Sequence, residues 1–152
     1  MGEGHQVEID LPGVPPSTNR LYFTRNGRRR LSDEGKRYKR KIAMKVAKEF
    51  PCVGPFENSD AFSLTIELHM EVLTRSKGAK NRYKRFDVSN RVKVLEDAIC
   101  ESLGIDDSQV MELRICKMHT TDPERTVVTL RRLPSSTPSQ NSDSSASTSG
   151  SE

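Results

Sequence analysis

The residues in this 152-residue chain with most chemistry to offer are three aspartates and a lysine: Asp87, Asp106, Asp107 and Lys93. Hydrolysing a phosphodiester calls for a divalent metal that lowers the pKa of water and neutralises phosphate charge, and hard Mg²⁺ takes carboxylate oxygens. Asp87 opens the run Asp87-Val88-Ser89-Asn90, and Asp106 opens Asp106-Asp107-Ser108-Gln109-Val110. Lys93 precedes Asp97 by four residues, so both share one helix face. An ordinary intrahelical ion pair and a phosphate-facing role weigh equally for that lysine. Each acid also has a plain structural use: helix capping for Asp87 or for its neighbour Ser89, and turn formation for Asp106 and Asp107.

These residues need elements to hold them. Val92, Leu95, Ile99 and Leu103 recur at helical spacing and Gly104 closes the run, so a helix begins at Asp87 and ends just before the second acidic pair. Such a helix separates its two ends by roughly 25 Å at 1.5 Å per residue. Either a second copy with an antiparallel helix or a connection that curls back must close that gap. Upstream, Val7, Ile9 and Leu11 alternate with acids as a strand, and Phe62 to Val72 alternate strictly as another. Asn26-Gly27 suits a hairpin turn. Ser32 before Asp33 and Glu34 starts a helix whose apolar stripe is Tyr38, Ile42, Val46 and Phe50. Met111, Leu113 and Ile115 mark a strand, and Thr126 to Arg131 a last one. The order β, α, β, α, β, β predicts an α+β fold, a mostly antiparallel or mixed sheet of about four strands packed with two helices.

Composition narrows the partner. Net charge is only +4, but the cations are bunched: Arg20, Arg25, Arg28, Arg29, Arg30 and a series onward to Lys45, then Arg75, Lys77, Lys80, Arg82, Lys84, Arg85, Arg91 and Lys93 around the single acid Asp87. Two basic runs flanking one carboxylate suit a polyanion. Aromatics are 5% and Trp is absent, which weakens a reading as an RNA-binding module built on stacking platforms. Cys52, Cys100 and Cys116 match no zinc spacing and read as small apolar fillers. With no signal peptide or long apolar run, a reduced cytoplasm and no membrane partner are expected. Residues 1–133 form one expected domain, and 134–152, rich in Ser and lacking aromatic or branched aliphatic side chains, a disordered tail.

Taken together, Pro15-Pro16-Ser17-Thr18-Asn19-Arg20, Leu31-Ser32 through Gly35, Asp87-Val88-Ser89-Asn90 with Lys93 and Asp97-Ala98, and Asp106-Asp107-Ser108-Gln109-Val110 resemble the RusA family of Holliday-junction resolvases over about residues 7–132. The resemblance implies a RusA-like homodimer whose basic face holds a four-way DNA junction and which nicks strands of like polarity with Mg²⁺, or Mn²⁺ in its place, in DNA recombination and repair. It assigns Asp87, Lys93 and Asp107 to catalysis, and Asp87, Asp107, Asp106 and Ser89 to the metal. The expected DNA face comprises Asn19, Arg20, Arg28, Arg29, Arg30, Arg82, Lys84, Arg85, Asn90 and Lys93. One departure matters: the family's Asp-x-Asp-Asn reads Asp87-Val88-Ser89-Asn90 here, and a hydroxyl is a weaker Mg²⁺ ligand than a carboxylate. The alternative is therefore a protein that binds junctions without cutting them.

Overall fold

The structure is a computed structural model that describes residues 6–51 and 54–134. The expected tail beyond Pro134, and Cys52, lie outside those residues. The elements run β1 (Gln6–Pro12), α1 (Thr18–Leu21), β2 (Tyr22–Arg25), β3 (Arg28–Leu31), α2 (Asp33–Glu49), β4 (Phe62–Met70), α3 (Ser89–Leu103), β5 (Val110–His119) and β6 (Arg125–Arg132). A 3-10 turn, Asp107–Gln109, leads into β5. The expected α+β class holds, and α1 is the helical turn the periodicity did not reveal. Four residues are too few to carry a 3.6-residue pattern.

The main sheet has the order β1-β6-β4-β5. β6 pairs antiparallel with both β1 and β4, whereas β4 and β5 run parallel, so the sheet is mixed. A parallel pair needs a long crossover, and here that crossover carries α3. β4 is the spine: Phe62, Leu64, Ile66, Leu68 and Met70 are buried while the residues between them are half-buried. Burying each such side chain contributes about 1.5–3 kcal/mol. Phe62, Leu64, Ile66 and Leu68 pack in one cluster with Ile42 and Val46 of α2 and with Val92, Leu95, Ile99 and Leu103 of α3, the stripe expected from the sequence. The strand ends at Met70 rather than Val72. Beyond it the chain folds back on itself, with Leu73 bridging Tyr83 and Thr74 N–H donating to the Arg82 carbonyl at 2.8 Å.

β5 is the strand that Met111, Leu113 and Ile115 marked, but alternation there does not mean burial: Met111 and Leu113 are 65% and 45% exposed. Leu113 pairs with Leu64 on the helix-covered side, yet β5 is the edge strand and the helix layer leaves that edge open.

The β2–β3 hairpin turns at Asn26-Gly27, both at positive φ (53° and 69°), as a tight two-residue turn requires. It is held against α2 through Ser32, whose hydroxyl accepts from Gly35 N–H at 3.1 Å and donates to the Arg20 carbonyl at 3.0 Å. A Cβ on Gly35 would lie 2.7 Å from the Leu21 carbonyl oxygen and 2.5 Å from Leu31 Cδ1, so glycine is what lets hairpin and helix approach.

Candidate active site

The site grows from the first turn of α3. Asp87 stands just ahead of the helix and accepts from the Asn90 N–H at 3.3 Å and from Asn90 Nδ2 at 2.7 Å. It therefore caps a free amide, as its position allowed, and also fixes the Asn90 side chain while remaining exposed. Ser89, the first helical residue, is exposed as well. Two tethers bring the Pro15–Arg20 segment to this turn. Thr18 Oγ1 donates to the Asn90 carbonyl, and Arg91 Nη1 donates to the Pro15 carbonyl at 3.0 Å. Arg91 is set by stacking over Phe86, 4.3 Å from its ring centroid. Motifs some 70 residues apart in sequence thus make one corner.

The hairpin projects from that corner, and its register divides the arginines. Tyr22, Thr24, Arg29 and Leu31 share one face, and Phe23, Arg25, Arg28 and Arg30 share the other. The Arg29 guanidinium lies 4.5 Å from the Tyr22 ring centroid. Both residues line a cleft of about 400 Å³ with Thr18, Ser89, Asn90, Lys93 and Asp97. The arginine run is therefore not one surface: Arg29 attends the cleft, while Arg28 and Arg30 face away from it. Arg20 pairs with Glu34 at 3.0 Å, and Asn19 is exposed beside it.

Lys93 lies one turn into α3. Its ammonium reaches Asp97 at 2.9 Å, Asp107 at 3.2 Å and Glu96 at 3.8 Å. The hydrogen bond it donates to Asp97, then that to Asp107, hold the lysine above its ordinary pKa against the opposing effect of partial burial. Burial raises the Glu96 carboxyl, with Lys93 opposing and the charges of Asp97 and Asp107 adding to the shift. Burial likewise pushes the Cys100 thiol up to about 11, which suits an inert filler.

Asp107 returns from the far end of α3 as far as Lys93, one turn into the helix, while among the described residues no shared carboxylate group closes the distance between Asp87 and the Asp106-Asp107 pair within the chain. The 3-10 turn makes this return rigid. Asp106 accepts from Ser108 N–H at 2.9 Å, and Gln109 Oε1 accepts from Asp106 N–H at 2.9 Å. Gln109 is buried, and its Nε2 donates to the Glu57 and Asp60 carbonyls at 2.9 and 3.0 Å. Asp106 is thus engaged in its own turn, and the bonds from Ser108 hold its carboxyl below the ordinary range.

The second basic segment is arranged differently. Glu71 accepts from Lys84 at 2.9 Å and also pairs with Arg75, and these bonds, that from Lys84 foremost, hold its carboxyl below the usual range. Arg82 and Arg85 are exposed on the same loop.

The donors named for a metal are all oxygens, which suits Mg²⁺ better than a softer ion. Among the described residues, no group of three or more His, Cys, Asp or Glu is placed to hold a metal ion, so Asp87, Asp106 and Asp107 do not form one within the chain. Sequence reasoning missed Glu96, Tyr22, Thr18 and Gln109. Glu96 stands three residues from Lys93, and Asp106-x-x-Gln109 is a readable capping box; nothing local distinguished Thr18 or Tyr22.

The family described as Endodeoxyribonuclease RusA matches residues 12–131. The chain is 30% identical over 126 residues to the crossover junction endodeoxyribonuclease RusA of Escherichia coli (strain K12), covering 82% of this chain and 93% of that protein. The protein of that name from Enterobacteria phage 82 is also 30% identical over the same shares, and that of Shigella sonnei (strain Ss046) 29%. The chain belongs to the RusA endodeoxyribonuclease family. No helix among the described residues is long and apolar enough to cross a membrane.

Proposed function

We propose, from that membership as premise, that the chain is a Mg²⁺-dependent endonuclease that resolves four-way DNA junctions as a homodimer, by paired phosphodiester hydrolysis in recombination and repair. The observation that carries the reading is the Lys93 ammonium, fixed by Asp97 and Asp107 at a cleft that also receives Ser89, Asn90 and Arg29.

In the reaction, water adds to phosphorus and the P–O3′ bond breaks. Lys93 stays protonated because its carboxylate partners favour the charged form, and it offsets negative charge on the phosphate as that bond opens. Arg29, stacked on Tyr22, holds a neighbouring phosphate. Asn90, fixed by Asp87, orients the strand. Asp87 and Asp107, with Ser89 and Asp106 as further oxygen donors, are the residues that would hold Mg²⁺ (or Mn²⁺), although one chain by itself does not gather the three aspartates; when bound, the ion would supply water of lowered pKa and neutralise phosphate charge. Nucleases of this family are generally metal-dependent. The outer DNA face takes Asn19, Arg20, Arg28, Arg30, Arg82, Lys84 and Arg85.

Homodimerisation is supported by the open edge at β5, where Met111, Leu113 and Met118 are 65%, 45% and 41% exposed. Leu113 and Met118 lie on opposite faces of the strand, so a second copy covers both by pairing along this edge, and it supplies the second site that paired incision requires.

The test is a labelled four-way junction incubated with the purified protein, with and without Mg²⁺ or Mn²⁺, beside Asp87→Asn and Ser89→Asp. Paired nicks that need metal and vanish in Asp87→Asn are expected. Ser89, a weaker Mg²⁺ ligand than a carboxylate, motivates the second reading, a junction binder without chemistry. Cutting seen only in Ser89→Asp would establish that reading instead.

A further inference from the structure

The face of α2 turned away from α3 carries a feature the nuclease reading does not use. Between α2 and the end of β1 lies a groove of about 540 Å³, lined by Leu11, Pro12 and Met44 and by the cations Arg37, Arg40, Lys41, Lys45 and Lys48. That volume is in the range of sites that seat a few side chains. Met44 is 68% exposed. Lys45 is paired with Glu49 at 2.7 Å, but Arg37, Arg40, Lys41 and Lys48 have no ion-pair partner among the described residues. β1 is hydrogen-bonded only to β6, so the sheet edge beside the groove is also free among those residues.

We propose that this groove docks an acidic protein segment bearing an apolar side chain, the apolar group resting on Met44 and Pro12 and the carboxylates meeting the cationic rim. Charge complementarity fixes the sign of the occupant, because the rim places unpaired cations side by side and an acidic partner relieves their repulsion. The floor excludes bare phosphate as the better occupant. A DNA strand would satisfy the rim but leave Met44 and Pro12 against a hydrated backbone, whereas an apolar side chain removes that surface from water. The free edge of β1 adds backbone groups with which an extended segment can pair.

The test uses two fluorescent nine-residue peptides of equal charge, one alternating Asp with Leu and the other Asp with Ser, titrated against the full chain by anisotropy. The Leu peptide is expected to bind at least tenfold more tightly than the Ser peptide. Met44→Glu should remove that preference while leaving the melting temperature and junction cutting unchanged, since Met44 is exposed and outside the nuclease site. Arg40→Glu combined with Lys41→Glu should weaken the Leu peptide at least tenfold. Equal binding of the two peptides, or a preference that survives Met44→Glu, would overturn the proposal by showing attraction to charge alone. Displacement of the Leu peptide by a four-way junction, with junction affinity falling in Arg40→Glu, would overturn it in favour of a DNA track.

Discussion

The two basic segments, the hairpin at residues 22–31 and the loop at 74–85, are equivalent in the sequence and unlike in the molecule. In the hairpin, Arg29 is held by an aromatic ring, which sets its position without cancelling its charge, and it faces the cleft that holds Lys93. In the loop, Arg75 and Lys84 converge on Glu71, which fixes them and neutralises one of their charges. A cation positioned by a ring stays available to phosphate, while one positioned by a carboxylate is partly committed. The density of Lys and Arg along a chain therefore measures potential contact, and the partner of each residue decides how much of it is usable.

The comparison is sharpest at Arg29. Arg29→Ala should slow junction cutting about tenfold or more, the loss of one well-placed charged donor costing about 1–3 kcal/mol, whereas Lys84→Ala should change the rate less than twofold. Equal losses in single-turnover assays would abolish the distinction. Gly35→Ala comes next. The added Cβ forces the hairpin off α2, and a cost of about 1–3 kcal/mol in denaturant melts is expected, with slower cutting because Arg29 moves too. Stability lost with cutting unchanged would mean the hairpin does not serve the cleft.

Smaller effects separate the outer cations. Arg28→Ser should reduce the slope of log affinity against log salt by about one contact, without changing the cutting rate of bound junction. Glu71→Gln should do the reverse, steepening that slope by releasing Arg75 and Lys84. Its pH dependence has a definite sign. The folded-state pKa of Glu71 is depressed by its cationic partners, so the stabilisation is present above the ordinary carboxylate range and is lost as pH falls through the depressed value. The difference in melting temperature between the natural protein and Glu71→Gln should accordingly narrow on acidification. A difference that widens would assign the loop's order to something other than this pair.

Much of the frame was legible because its signals are local and periodic. The alternation through Phe62 to Met70, the stripes of α2 and α3, the Asn26-Gly27 turn and the Ser32 cap each follow from neighbours within a few residues. The resemblance to the RusA family was carried by motifs that the structure gathers into contact, as when Thr18 and Arg91 join the Pro15–Arg20 segment to the Asp87 turn. What periodicity could not convey was tertiary. Lys93 and Asp97 were readable as a helix pair, but the return of Asp107 depends on Gln109 reaching the carbonyls of residues 57 and 60 across the fold. The exposure of Met111 and Leu113 likewise reflects the position of β5 at the sheet edge, which alternation alone does not encode. The opposite facing of Arg28 and Arg29 was implicit in strand pleating and became decisive only once Tyr22 and the cleft were placed.

The central claim is that Lys93, gripped by Asp97 and Asp107, acts on the phosphate during hydrolysis rather than merely joining the start of α3 to the turn before β5. Single-turnover cutting and equilibrium binding of one labelled four-way junction in Mg²⁺, measured for the natural protein, Lys93→Ala and Lys93→Arg, test it most directly. The prediction is that Lys93→Ala binds the junction within a few-fold of the natural protein yet cuts it about 100-fold more slowly or worse, with Lys93→Arg recovering part of the rate. Cutting undiminished in Lys93→Ala, or lost only in proportion to affinity and melting temperature, would contradict the claim and leave the lysine a structural tie.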